Sequence, residues 1–84
     1  MTRRLLSYKG MTAVCANVSA HRDDVAALVS DLSELEGRTE SASVYHHADS
    51  TEIAARKALT VLDGLVKQLD VLQRVMTREA ELNV

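Results

Sequence analysis

Between Ala55 and Met76 apolar residues recur in alternating steps of three and four, at Ala55, Ala58, Leu62, Leu65, Leu69, Leu72 and Met76. Side chains on a helix advance by about 100° per residue, so this spacing puts all of them on one stripe. A second apolar row, Leu59, Val61, Val66 and Val75, flanks the stripe on both sides. Charged residues (Arg56, Lys57, Asp63, Lys67, Asp70, Arg74, Arg78 and Glu81) fall almost entirely opposite it. The pattern predicts a long amphipathic helix over 50–82. Asp49 followed by Glu52 has the spacing of a capping box, with Asp in place of Ser or Thr. Glu52 with Arg56, Asp63 with Lys67 and Asp70 with Arg74 are acid-before-base pairs four apart, each adding about 0.2–0.5 kcal/mol. Gly64 costs about 1 kcal/mol relative to Ala, but Leu62 and Leu65 stay in phase across it, so it reads as tolerated.

The same spacing in the first half predicts a helix over 20–36, with Val18, His21, Val25, Leu28, Leu32 and Leu35 on one face. Asp23 and Asp24 suit the positive end of its dipole. Ser19 or Asn17 is placed to cap it, and Gly37 sits where a left-handed residue would end it. The phase extends back through Val14 to Met11, which makes residues 1–18 either an arm or the start of this helix. Residues 38–49 read as a connector. Two alternatives compete there. Running the seam back through Thr51, Ala48 and Val44 gives one helix from about Thr39 to Asn83, roughly 65 Å long. Making Ser43 to His47 a strand, beside strands at Arg3 to Tyr8 and Met11 to Val18, gives a small α+β fold with an N-terminal β-hairpin. The sustained helical phase favours an all-α antiparallel helical hairpin as a single domain spanning 1–84.

Composition supports helices. The apolar residues are mostly Ala, Val and Leu, with Tyr8 and Tyr45 the only aromatics, no proline and three glycines. Sandwiches and barrels use many turn residues and many β-branched or aromatic strand residues. At 84 residues the core is marginal unless disulfides, metal or oligomerisation add to it. Cys15 is the only cysteine, so no intrachain disulfide is available, which fits a reducing, cytoplasmic setting. A net charge of −2 disfavours a non-specific polyanion binder. No run of eighteen apolar residues is present, so no membrane partner is expected.

Candidate chemistry is sparse. His46 and His47 are adjacent, so their side chains diverge on a helix or a strand and do not chelate one ion. His21 occupies a seam position, where it is either hydrogen-bonded at an interface edge or a pH-sensitive register residue. Cys15 and His21 are six apart, poor helical spacing for a nucleophile and its base. No nucleophile elbow, phosphate loop or metal motif is present. No enzyme activity, cofactor or metal site is expected. Arg3, Arg4, Arg56 and Lys57 define the alternative of a small dimeric nucleic-acid-binding regulator, against which stand an acidic first helix and the lack of a stacking platform.

In heptad terms Leu62, Leu69 and Met76 take position a, Ala58, Leu65 and Leu72 d, Leu59 and Val66 e, Val61 and Val75 g. A two-stranded coiled coil buries a and d and places charge at e and g. Apolar residues at all four positions call for neighbours on two sides, and the first helix covers one. The expectation is a protein–protein interaction module, such as a small chaperone, adaptor or inhibitor. Its partner-binding residues are Leu59, Val61, Leu62, Leu65, Val66, Leu69, Leu72, Val75 and Met76. The partner is a second copy, giving a dimeric four-helix bundle, or a groove on another protein. The outline is similar to W-x-G secretion substrates, small chaperones of type III secretion needle subunits and plasmid RNA-binding hairpins. Leu35-Glu36-Gly37 lacks the Trp of the first, and no diagnostic motif ties the chain to the others.

Overall fold

A computed structural model describes residues 8–82, with side-chain surroundings for 9–79. Two helices, α1 (Tyr8–Arg38) and α2 (Ala42–Leu82), pack against each other as an antiparallel hairpin. No strand occurs among the described residues. Met11 to Val18 and Ser43 to His47, the strands of the α+β alternative, are helical, and Arg3 to Ser7 lie outside the described residues.

Both helices are longer than the expected spans 20–36 and 50–82: α1 takes in the phase that runs back to Met11, and α2 comes close to the alternative helix from about Thr39 to Asn83, because the capping chemistry sits elsewhere. The connector is residues 39–41 and not 38–49. Gly37 does not end α1: none of the described glycines has a positive φ, and the helix runs through it to Arg38. The Thr39 amide makes a last helical bond to the Leu35 carbonyl at 2.9 Å, and the Thr39 hydroxyl accepts from the Ser41 amide at 3.2 Å. Ser41, not Asp49, then caps α2, its hydroxyl accepting from the Val44 amide at 3.2 Å, as an N-cap serine does for the third residue of a helix. With no proline in the chain, hydroxyl caps are what separate two helices from one.

The contact face of each helix follows an unbroken four-three alternation. On α1 it runs Met11, Cys15, Val18, Arg22, Val25, Val29, Leu32, Glu36, all at least half-shielded. On α2 it runs Ala48, Glu52, Ala55, Leu59, Leu62, Val66, Leu69, Gln73, Met76. Met11, Val29, Ala48 and Ala55 are the fully buried apolar residues among those described. Relative to the frame expected from the sequence, α2 is rolled by half a stripe. Leu62, Leu69 and Met76 face α1 as anticipated, but their companions are Leu59 and Val66, and not Ala58, Leu65 and Leu72. Helix α1 is rolled in the same sense, so Val29 replaces Leu28, and Arg22 replaces His21.

Polar partners across the interface accompany this frame. Arg22 Nε donates to Asp63 Oδ1 at 2.6 Å across the interface, so Asp63 takes an interhelical partner and not Lys67. Gln73 Nε2 donates to Thr12 Oγ1 at 3.0 Å, and the Cys15 thiol sits 3.9 Å from the Leu69 carbonyl oxygen. Two of the expected i,i+4 pairs form, Glu52–Arg56 at 2.9 Å and Asp70–Arg74 at 2.6 Å. The Cα trace measures 63 × 29 × 15 Å, two helices wide and one helix thick. Stable domains are usually built from two or more packed layers; this is one.

Candidate interaction surface

Rolling each helix about its contact face leaves the hairpin with two unlike sides. On α1, Val14, His21, Leu28 and Leu35 repeat every seven residues beside the contact face; on α2 Thr51, Ala58, Leu65 and Leu72 do the same. Because the helices run antiparallel, both columns turn to the same side of the hairpin. The shallow groove near the turn, about 290 Å³, confirms this juxtaposition, since Leu35 lines it together with Val44 and Thr51. Leu28 is 44% exposed, Leu65 and Leu72 43% each, and Val61, at the margin, 70%. Val75 stands exposed on the same margin. Among the described residues, no opposing helix covers this strip.

The other side is polar. It carries the Arg22–Asp63, Glu52–Arg56 and Asp70–Arg74 ion pairs and a small dent of about 220 Å³ lined by Ser19, Lys67, Asp70 and Gln73 with Cys15 beneath. Ile53, Tyr45 and Val71 are exposed away from the strip, but only on the open side do large apolar residues line up along both helices, as on a face that belongs against something.

The expected partner-binding set thus divides. Val61, Leu65, Leu72 and Val75 are on the open side or its margin, whereas Leu59, Leu62, Val66, Leu69 and Met76 are half-buried against α1. Sequence spacing misses Leu28 and Leu35 as surface residues, since it assigns them to the internal seam. The signal that finds them is the second four-three phase, Met11 to Glu36, which interleaves with theirs. Of the basic residues considered for nucleic acid, Arg3 and Arg4 lie outside the described residues, Arg56 is held by Glu52, and Lys57 is exposed.

One polar interruption of the contact face lies near the turn. Glu36 of α1 and Glu52 of α2 bring their carboxyl groups together, and Oε1 of each is buried without a partner if both are ionised. Burial pushes the Glu36 carboxyl above the usual glutamate range, and the nearby Glu52 and Asp49 push the same way. The Arg56 guanidinium, followed by Glu36 itself, holds Glu52 below that range. The opposite directions mean that Glu36 holds a proton more readily than Glu52 does. No group of three or more His, Cys, Asp or Glu side chains suited to a metal ion occurs among the described residues, and none of the described helices is long and apolar enough to cross a membrane. Comparison with protein families, with characterised proteins and with solved structures gave no match.

Proposed function

We propose that this protein is a non-enzymatic interaction module that acts by helix–helix association through its open apolar side, in the manner of a small chaperone, adaptor or inhibitor. The observation that carries the reading is the strip from Leu35 to Leu72, exposed on a hairpin only one layer thick. Each large apolar side chain removed from water contributes roughly 1.5–3 kcal/mol, so Leu28, Leu35, Leu65 and Leu72 together supply a strong drive to associate. A second copy of the chain and helices of another protein are the partners such a side accepts. The unpaired Cys15 fits a reducing, cytoplasmic setting.

Leu65→Asp tests the reading. Leu65 does not face α1, so the hairpin remains helical by circular dichroism while association is lost. The wild-type chain is expected either to exceed its monomer mass in light scattering or to bind an apolar fluorescent dye as a monomer, and the variant to do neither. A wild-type monomer that binds no dye, or a variant unchanged in both properties, overturns it. Leu69→Asp is the wrong probe, because Leu69 lies within the hairpin's own contact face.

A further inference from the structure

A folded chain of 9.2 kDa exposes about 4,900 Å² by size scaling, whereas this one exposes 6780 Å². The surplus, roughly 1,900 Å², is close to what one copy gives up in an obligate dimer, whose interfaces bury about 2,000–5,000 Å² in total.

The margins of the open side say how that layer is oriented. Along α1 the margin column is Asn17, Asp24, Asp31 and Arg38, seven apart and exposed, with Arg38 held by Glu34. Along α2 it is Ala54, Val61, Gln68 and Val75, without charge, and exposed Lys57 lies just outside it. None of the ion pairs among the described residues engages Asp24, Asp31 or Lys57.

We propose that the occupant of the open side is a second copy of this chain, packed with α1 of each copy on α2 of the other and both turns at one end. This rests on the interaction-module reading and adds the partner and its orientation. A two-fold axis along the helices produces the arrangement, and every neighbouring pair of helices is then antiparallel. Positions whose numbers add to about 85 share a height in the hairpin, as Arg22 with Asp63 and Thr12 with Gln73 do, and this axis preserves heights. Leu28 therefore meets the partner's Ala58, and Leu35 meets the partner's Thr51, large against small. Asp31 comes within a helical turn of the partner's Lys57. The competing axis, across the helices, lays α1 on the partner's α1 and sets one acidic margin against the other, where like charges oppose association.

A spin label on Glu40→Cys, in a Cys15→Ser background, decides the matter. Residue 40 is in the exposed turn, and one label per chain gives a dipolar distance only within a dimer. The proposed arrangement puts the two turns about one helix spacing apart, roughly 10 Å between backbones, so the labels come far closer than the length of a helix. A dimer with labels about 46 Å apart, the length of α1 at 1.5 Å per residue, overturns the orientation. Sedimentation equilibrium of the unlabelled wild-type chain guards against an effect of the label. A monomer there overturns the second copy as occupant; if that monomer binds the apolar dye, the interaction-module reading still stands, and if it does not, both fall.

Discussion

Adjacent residues Leu28 and Val29 do different jobs in this structure, and truncating each to alanine separates them. Val29 is 7% exposed in the hairpin, so Val29→Ala removes two buried carbons and leaves a small cavity, a loss of about 2 kcal/mol within each copy. Leu28 is 44% exposed. Leu28→Ala removes three carbons worth about 2.4 kcal/mol when fully buried, of which a little over half is felt in the lone hairpin. The remainder, about 1 kcal/mol per copy and 2 kcal/mol per dimer, appears only on association. In the proposed dimer, Leu28→Ala is therefore expected to raise Kd roughly 30-fold, while Val29→Ala lowers the stability of each hairpin and leaves Kd within about threefold. Sedimentation measures Kd, and urea unfolding over a wide protein concentration range measures the rest. If the two variants shift Kd equally, or Leu28→Ala leaves it unchanged, the open side is not the face on which the copies meet.

Glu36→Gln should change the pH profile of thermal stability in one direction only. The raised Glu36 carboxyl contributes stability that is lost as pH rises through its elevated pKa, and the lowered Glu52 contributes stability that is lost as pH falls through its depressed one. The wild-type melting temperature thus peaks between them; the variant should keep the acid-side loss and lack the other, and an identical profile by circular dichroism would show that Glu36 holds its proton no more readily than an ordinary glutamate. Ser41→Ala removes the α2 cap and is expected to cost about 1 kcal/mol, a fall in Tm of roughly 4–8 °C; no change would put the cap elsewhere. Gly64→Ala is expected to stabilise by about 1 kcal/mol, because a Cβ there meets nothing within 4 Å. A loss on that substitution would mean that the glycine is needed for close approach of another chain.

The helical hairpin is legible because Leu62, Leu65, Leu69 and Leu72 keep a period that only a helix uses. The start of α2 is obscured by residues 43–50, where Ser43, His46, His47 and Ser50 look like a polar connector although Val44, Ala48 and Thr51 hold the phase. Gly37 attracts the helix end because glycine commonly supplies a left-handed cap, while the Thr39 and Ser41 hydroxyls that turn the chain carry a weaker signal. Which stripe of α2 faces α1 is not readable at all from periodicity. Leu62, Leu69 and Met76 belong to two overlapping stripes, and what distinguishes them is contact between distant residues, such as Arg22 with Asp63 and Thr12 with Gln73. The open side is consequently foreseeable in kind but only partly in membership: periodicity points to Val61, Leu65, Leu72 and Val75, and not to Leu28 and Leu35.

The three-residue turn at 39–41 also ranks the contacts across the hairpin by closure cost. Contacts across the hairpin span ever longer stretches of chain away from it, from the residues beside the turn, through Arg22 and Asp63 at a separation of 41, to Thr12 and Gln73 at 61. Each doubling of the enclosed loop adds about 0.6 kcal/mol of closure entropy, so contacts beside the turn carry the smallest closure cost and Thr12 with Gln73 a larger one. Met11, the one fully enclosed side chain among the described residues at 0% exposure, sits at the far end of that progression. The most enclosed side chain is thus the one whose contacts across the hairpin close the longest loop.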